Sequence, residues 1–126
     1  MGSKVAVIGS GSWGTALARL LRNRGCRVTL WGRPEDDLED IIKTNENRRF
    51  LPGIVLPAGI EITVIESAAE KAEAVVFAVP SQSLREVIRR FREHLEPSQL
   101  LVSAVKGIEN NTLCRMSQVI EEELPV

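Results

Sequence analysis

The sequence predicts an α/β fold in which one parallel sheet is doubly wound, with helices on both faces. Short apolar runs rich in β-branched residues alternate along the chain with segments of helical periodicity. The first run leads directly into a glycine-rich turn and a helix. The length of 126 residues, of which 44% are hydrophobic, suits one domain with a substantial core. Strands that alternate with helices are joined by right-handed crossovers, so we expect five strands in the order 3-2-1-4-5.

The first half of the chain contains two predicted strands, each followed by a predicted helix. The strands cover residues 5–8 and 27–31, and the helices cover residues 14–24 and about 34–44. Pro34 suits the first turn of the second helix because its ring fixes a helical φ. The apolar residues expected to face the core from these helices are Ala16, Leu17, Ala18, Leu20, Leu21, Leu38, Ile41 and Ile42.

The second half contains three predicted strands and two predicted helices. Asn, Pro and Gly residues mark a loop at 45–60. The strands cover residues 60–65, 74–79 and 100–105, and we expect strands one, four and five to be buried on both faces. Ser81 is a candidate cap of the next helix, and the last helix covers about 112–124. The expected inward residues are Leu84, Val87, Ile88, Phe91, Leu113, Met116, Ile120 and Leu124, and the expected outward residues are Arg85, Arg89, Arg90 and Arg92.

Composition excludes several classes of function. The formal net charge is −1, from 16 basic and 17 acidic residues, which gives no support to a nucleic-acid or membrane-surface partner. No apolar run is long enough to span a bilayer, and the N-terminus lacks the pattern of a signal peptide. Cys26 and Cys114 are therefore expected to be buried, free thiols in a reducing cytoplasm. No metal site is expected, because His94 is the only histidine.

The glycine-rich turn predicts a dinucleotide site. Residues 9–14 read G-x-G-x-x-G and lie between a predicted strand and a predicted helix, which is the context that gives this pattern its meaning in a Rossmann fold. Gly9 permits the tight turn, Gly11 lets the backbone approach a pyrophosphate, and Gly14 lets the helix pack close to the strand. The helix N-terminus then offers N–H groups and partial positive charge to the phosphates.

The end of the second strand favours NADP(H) over NAD(H). An acidic residue about 20 positions after the motif would bind the ribose 2′-hydroxyl, but the sequence there reads Trp31-Gly32-Arg33. The small Gly32 leaves room for a 2′-phosphate, and Arg33 can pair with that phosphate. We therefore expect NADP(H) as cofactor, with NAD(H) tolerated. The alternative is that Arg33 is a solvated surface arginine.

Two further strand ends are predicted at the same edge of the sheet. Val79-Pro80-Ser81 would line the crevice where the strand order reverses, or would simply stop the fourth strand and cap a helix. Lys106, at the end of the fifth strand, can hold a substrate phosphate or polarise a carbonyl. The alternative for Lys106 is an exposed lysine before a turn glycine. The run of arginines from Arg85 to Arg92 is expected to be a solvated face.

Five stretches together resemble the bacterial NAD(P)-dependent glycerol-3-phosphate dehydrogenases. They recur in that family's order and cover nearly the whole chain. They are Gly9 to Ala18 (GSGSWGTALA), Leu30 to Arg33 (LWGR), Asn47 to Pro57 (NRRFLPGIVLP), Ala78 to Ser81 (AVPS) and Val105 to Glu109 (VKGIE). The resemblance implies reversible hydride transfer between dihydroxyacetone phosphate and sn-glycerol 3-phosphate, in phospholipid biosynthesis.

The resemblance also implies roles for individual residues. Ser12, Trp13 and Arg33 would contact the cofactor, Phe50 would lie near it, and Lys106 would touch both cofactor and substrate. Asn47 opens the family's loop motif, without an assignable contact. The cofactor-binding residues expected from motif and resemblance together are Gly9, Gly11, Ser12, Trp13, Gly14, Arg33, Phe50, Pro80 and Lys106.

Members of that family carry a second, mostly helical domain with the lysine that serves as general base. We therefore expect residues 1–126 to be a truncated cofactor-binding domain, without a catalytic residue of its own, that ends near the start of a sixth strand. It should bind dinucleotide without turnover, and its fifth strand would be an open edge that invites a homo-oligomer. Two alternatives remain: a stand-alone dinucleotide-binding module without chemistry, and a β-hydroxyacid dehydrogenase, against which the stretches from Asn47 and Val105 argue.

Overall fold

A computed structural model of the chain describes residues 2–124. Five parallel strands form one sheet in the order β3-β2-β1-β4-β5, which confirms the predicted topology. The strands are β1 (Lys4–Ile8), β2 (Arg27–Trp31), β3 (Glu61–Thr63), β4 (Ala74–Phe77) and β5 (Leu100–Ser103). The order reverses between β1 and β4, so a crevice is expected at their carboxyl ends.

Within residues 2–124, four α-helices connect or flank the strands. They are α1 (Ser12–Asn23), α2 (Leu38–Thr44), α3 (Leu84–Phe91) and α4 (Met116–Glu123). Short 3₁₀ turns lie at Pro34–Asp36, Glu66–Ala69, Ser81–Ser83 and Arg92–His94.

The alternating side chains of β1 separate two hydrophobic cores. Ala6 and Ile8 belong to the larger core, which is completed by α3 and α4 through residues such as Phe91 and Val119. On the other face, Val5 and Val7 belong to a core that also contains Ala18 of α1, Val28 and Leu30. Because both faces of β1 are covered, its carboxyl end and the glycine turn that follows are held on a rigid support.

The prediction that the fifth strand is buried on both faces is wrong. Leu100 is 64% exposed and Val102 is 37% exposed. In the described part of the chain, β5 pairs only with β4 and forms the edge of the sheet. An edge strand lacks the cover that crossover helices give to central strands such as β1.

Three helix predictions need correction. The segment 34–44 is interrupted at Asp37, whose φ of 54° is left-handed, so α2 begins only at Leu38 and Ile42 is exposed. Leu20 of α1 is likewise exposed, because the buried stripe is narrower than the apolar one. The last helix begins at Met116 and not near residue 112, because Asn111 and Leu113 both have positive φ, and Leu113 is exposed. The expected start of a sixth strand lies outside the described residues.

Candidate functional site

Gly9, Gly11 and Gly14 each lack a side chain for a different physical reason. Gly9 has a φ of 127°, and a Cβ there would lie 2.5 Å from the carbonyl oxygen of Ala78. A Cβ on Gly14 would lie 1.8 Å from the carbonyl oxygen of Gly9, so a side chain there would push α1 away from the turn. A Cβ on Gly11 would meet no described atom within 4 Å. Gly9 and Gly14 are thus required by the fold, whereas the space beside Gly11 is free for a ligand.

The N-terminus of α1 is available to an anion. Gly11 is its N-cap residue, no side chain among residues 2–124 caps it, and its first turn contains no acidic residue. The first amides of a helix have no partner within the helix, and the helix dipole adds partial positive charge. The turn therefore presents N–H groups to open space, which is the arrangement that binds phosphate groups.

Two adjoining cavities meet at this turn. The first, of about 230 Å³, is lined by residues that include Gly9, Gly11, Arg33, Phe50 and Pro80. The second, of about 450 Å³, is lined by residues that include Ser12, Trp13 and Lys106. Both cavities share Gly11, Ala78, Val79 and Pro80. Two compartments joined at a phosphate-binding turn suit a molecule with two halves linked by a pyrophosphate.

Arg33 lies in the first cavity with an unsatisfied donor. Its Nη2 atom is buried and has no hydrogen-bond partner among the described residues. Buried donors are normally paired, so this unpaired nitrogen stands out among the described residues. Arg33 as a residue is half-buried and lines the first cavity, which differs from a fully solvated surface arginine.

Gly32 is small for a reason that the sequence did not indicate. A Cβ at this position would lie 2.3 Å from Oγ of Ser10 and 2.8 Å from a methyl group of Leu38. The space beside Gly32 is thus filled by Ser10 and Leu38, and it is not room left for a 2′-phosphate.

Pro80 lies at the boundary of both cavities, which favours the interpretation that it lines the crevice. The predicted cap at Ser81 is wrong. A 3₁₀ turn begins at Ser81, α3 begins at Leu84, and neither start has a side-chain cap within residues 2–124. The Ser81 hydroxyl instead accepts a hydrogen bond from Nε2 of Gln82 at 3.1 Å.

Asn47 is the residue of the site that sequence reasoning left without a role. It is 1% exposed, and its Nδ2 donates to the Ser10 carbonyl oxygen at 2.8 Å and to Oγ1 of Thr15 at 2.9 Å. Its Oδ1 accepts from the Phe50 amide at 3.2 Å. One side chain thus joins the glycine turn to the loop that carries Phe50. A polar residue at the start of a loop was the sequence signal for this role, but its partner Ser10 lies 37 positions away along the chain.

Arg85 does not belong to a solvated face, in contrast to the prediction for the arginine run. Its side chain is 19% exposed and forms ion pairs with Glu109, Glu122 and Glu123. Two guanidinium nitrogens donate to the Glu109 carboxylate at 2.9 Å. Hydrogen bonds from Arg85, followed by one from Thr112, lower the pKa of Glu109 from 4.5 to about 2.

This ion-pair cluster fixes the loop that carries Lys106. Gln82 strengthens the attachment, because its Nε2 donates to the Ile108 carbonyl oxygen at 3.0 Å and its Oε1 accepts from the Asn110 amide at 2.8 Å. Lys106 is exposed and lines the second cavity, and it is followed by Gly107 with a φ of 106°. The lysine therefore projects from a held loop at the mouth of the crevice.

Comparison with known proteins decides the family. Residues 4–126 match the family model described as the NAD-dependent glycerol-3-phosphate dehydrogenase N-terminus. This chain belongs to that family. The match confirms the resemblance expected from the five sequence stretches.

Members of this dehydrogenase family are similar to the chain along almost its whole length. The glycerol-3-phosphate dehydrogenase [NAD(P)+] of Pelotomaculum thermopropionicum is 51% identical over 98% of this chain and 36% of its own length. The protein of the same name from Carboxydothermus hydrogenoformans is 44% identical over 99% of this chain and 38% of its own length. The crystal structure of glycerol-3-phosphate dehydrogenase from Coxiella burnetii superposes with a TM-score of 0.90 at 28% identity, covering 99% of this chain and 38% of that one. The chain thus spans little more than a third of these dehydrogenases.

In this member of the dehydrogenase family, the residues predicted from sequence lie together at one edge of the sheet. Every predicted cofactor-binding residue except Gly14 lines one of the two cavities. Gly14 lies behind them, against the Gly9 carbonyl. Cys26 and Cys114 are free but only half-buried, so the expectation that both thiols are buried is wrong. No helix within residues 2–124 is long and apolar enough to cross a bilayer, and that same range contains no cluster of His, Cys, Asp and Glu suited to a metal ion.

Proposed function

We propose that this chain binds NADP(H) or NAD(H) across the two cavities. The pyrophosphate would lie at the amides that begin α1, beside Gly11 and Ser12. The adenosine half would lie in the first cavity, with Phe50 near it and a 2′-phosphate paired with Arg33. The nicotinamide half would lie in the second cavity, near Trp13, Pro80 and Lys106. The observation that carries this proposal is the junction of the two cavities at Gly11, where the backbone faces open space.

Two features fit the cofactor independently of the family match. The buried Nη2 of Arg33 has no partner in the described chain, and Arg33 lines the first cavity, which suits an anionic group bound there. The absence of a side chain at Gly11 leaves the α1 amides accessible to a diphosphate. Glu35 and Asp36 also line the first cavity, so the described lining of that cavity combines the cation of Arg33 with two carboxylates.

We further propose that the chain is the cofactor-binding part of an sn-glycerol-3-phosphate dehydrogenase. The bound nicotinamide would supply the hydride exchanged between dihydroxyacetone phosphate and sn-glycerol 3-phosphate. Lys106 would attract the substrate phosphate at the mouth of the second cavity. The general base is expected outside these 126 residues, as a lysine in the part of the relatives that this chain does not span.

Titration of the 126-residue chain with NADH, NADPH and ADP tests the binding proposal. Saturable binding of both dinucleotides, each tighter than ADP, is expected because only a dinucleotide fills both cavities. The chain alone should not oxidise NADPH in the presence of dihydroxyacetone phosphate. Absence of dinucleotide binding by a folded chain would refute the proposal.

A chimera tests the proposed reaction. The matched N-terminal part of the Pelotomaculum thermopropionicum dehydrogenase would be replaced by residues 4–126 of this chain, given their 51% identity. The chimera should oxidise NADPH when dihydroxyacetone phosphate is added. A folded chimera that binds dinucleotide without this activity would instead support a binding module without chemistry.

The compartment and the metabolic role that we propose follow from the proposed reaction and from the two free cysteines. Free Cys26 and Cys114 are consistent with a reducing compartment such as the cytoplasm. The proposed product supplies the glycerol backbone of phospholipids, so the full enzyme would act in phospholipid biosynthesis. The open edge of β5 is the surface that we propose for self-association.

A further inference from the structure

We propose that Asp36 determines how strongly the site discriminates between NADH and NADPH, by favouring a 2′-hydroxyl and opposing a 2′-phosphate. This inference rests on the proposed cofactor site, because Asp36 lines the first cavity together with Arg33 and Phe50. Sequence reasoning placed no acidic residue at the end of the second strand. The 3₁₀ turn at Pro34–Asp36 nevertheless brings an acidic residue to the end of that strand, because Asp36 follows Arg33 by three residues.

The Asp36 side chain is held in a fixed position. Its Oδ2 accepts a hydrogen bond from the Ser10 hydroxyl at 2.9 Å and another from the Arg33 amide at 2.9 Å. Ser10 is itself 1% exposed and belongs to the glycine turn. Two donors on one oxygen orient the carboxylate, and its other oxygen, Oδ1, accepts no hydrogen bond from residues 2–124. One acceptor therefore remains available to a donor that enters the cavity.

The cavity thus offers opposite charges to the 2′ position of the ribose. A hydroxyl can donate to the free oxygen of Asp36, whereas a 2′-phosphate is mostly a dianion at neutral pH and would meet a like charge. Arg33 has the reverse preference, because its unpaired Nη2 suits a phosphate. A carboxylate and a guanidinium that line one cavity would give each cofactor one favourable contact at its 2′ position.

Glu35 is the less effective carboxylate of the cavity. It also lines the first cavity, but its side chain is exposed and no described residue holds it by a hydrogen bond. An exposed, mobile charge is screened by salt and water. The fixed carboxylate of Asp36 is therefore the one that sets the preference.

The test compares Asp36→Asn with Asp37→Asn in the 126-residue chain. Asparagine at position 36 keeps a carbonyl oxygen for the Ser10 and Arg33 donors but removes the charge. Asp37 lies outside the first cavity and has a φ of 54°, which asparagine tolerates, so the control has the same charge change in the adjacent residue. Dissociation constants for NADH and NADPH are measured by titration calorimetry, and thermal melts confirm folding.

For Asp36→Asn, we expect the ratio of the NADH dissociation constant to the NADPH dissociation constant to rise about tenfold, while Asp37→Asn leaves it unchanged. A change of both constants by one common factor would show that Asp36 only supports the turn, and would overturn the inference. An unchanged or reduced ratio would overturn it equally. If the unsubstituted chain bound neither dinucleotide, the proposed function itself would fail, and this inference with it.

Discussion

The side-chain nitrogen Nδ2 of Asn47 lies 2.8 Å from the backbone carbonyl oxygen of Ser10, although 37 positions separate the two residues. Ser10 lies within the glycine turn, and its hydroxyl donates to Asp36. Asn47 in turn accepts a hydrogen bond from the amide of Phe50. The glycine turn, the 3₁₀ turn after β2 and the loop that carries Phe50 are therefore joined by side-chain hydrogen bonds beside the first cavity.

Removal of the Asn47 side chain should loosen this connection. Asn47→Ala loses one hydrogen bond donated to the turn, one donated to Thr15 of α1 and one accepted from Phe50. Stability should therefore fall by about 1–3 kcal/mol, and both dinucleotides should bind more weakly. Asn47→Asp keeps the shape but replaces the donor with an oxygen that faces the Ser10 carbonyl, so it should be at least as damaging. Urea unfolding and cofactor titration measure both effects.

The control for Asn47 is Asn23→Ala, at the exposed end of α1. It should change neither stability nor binding by a measurable amount. If Asn47→Ala behaved like Asn23→Ala, the hydrogen bonds of Asn47 beside the cavity would have no role in holding the site.

Arg33→Ala should weaken NADPH more than NADH. The loss for NADPH should be about 1–3 kcal/mol, because a charge-assisted hydrogen bond to the 2′-phosphate disappears. Arg19→Ala, on the exposed face of α1, is the matched control. Titration of each variant with both cofactors measures the difference, and equal weakening of NADH and NADPH would contradict the assignment of Arg33 to the 2′-phosphate.

Acid should destabilise the ion-pair cluster around Arg85. Hydrogen bonds from Arg85 to Glu109, and from Arg89 and Arg85 to Glu123, lower the pKa of each carboxyl from 4.5 to about 2. Because the folded pKa lies below the unfolded one, this contribution to stability is complete above pH 4.5 and is lost as the pH falls towards 2. Melting temperatures measured across that interval should therefore fall less steeply for Glu109→Gln than for the unsubstituted chain.

The control for this pH dependence is Glu121→Gln on the same helix as Glu123. Glu121 is exposed and forms no ion pair with any residue from 2 to 124. Glu121→Gln should leave the dependence of the melting temperature on pH unchanged. If the melting temperature of Glu109→Gln fell with acid as steeply as that of the unsubstituted chain, the ion pair between Arg85 and Glu109 would not contribute to stability.

The edge strand β5 should cause association at high concentration. Its free backbone groups and the exposed side chains of Leu100 and Val102 form an unprotected edge. Val102→Lys places a charge there and should reduce association in analytical ultracentrifugation, whereas Val55→Lys, on an exposed loop, should not. A chain that is monomeric at every concentration would refute the proposed self-association.

The order of the sheet and the position of the crevice could be predicted because they depend on local patterns. The run Val5–Ile8 and the spacing of Gly9, Gly11 and Gly14 each report on neighbours within a few residues. Once β1 and β4 are central in a parallel sheet, their carboxyl ends must meet at one edge. The positions of Arg33, Pro80 and Lys106 beside the crevice could be predicted for the same reason, since each follows a strand.

Contacts between distant segments could not be predicted. Asn47 meets Ser10, Asp36 meets Ser10, and Arg85 meets Glu109 only after the chain folds, and no periodicity indicates these pairs. Leu113 was wrongly assigned to the last helix because its apolar spacing was regular, although its backbone has a φ of 58°. Hydrophobic patterning predicts which side of an element is buried, but it does not predict where left-handed residues end that element.

Two alanine substitutions in the turn test the central claim, that the backbone at the start of α1 holds a pyrophosphate. Gly11 has an extended backbone and open space around it, so Gly11→Ala should fold and melt like the unsubstituted chain. Its added methyl group should nevertheless weaken NADPH binding about tenfold or more, while Gly14→Ala should lower the melting temperature, because its Cβ meets the Gly9 carbonyl. The decisive measurement is NADPH titration of folded Gly11→Ala: weakened binding is predicted, and an unchanged dissociation constant would contradict the account.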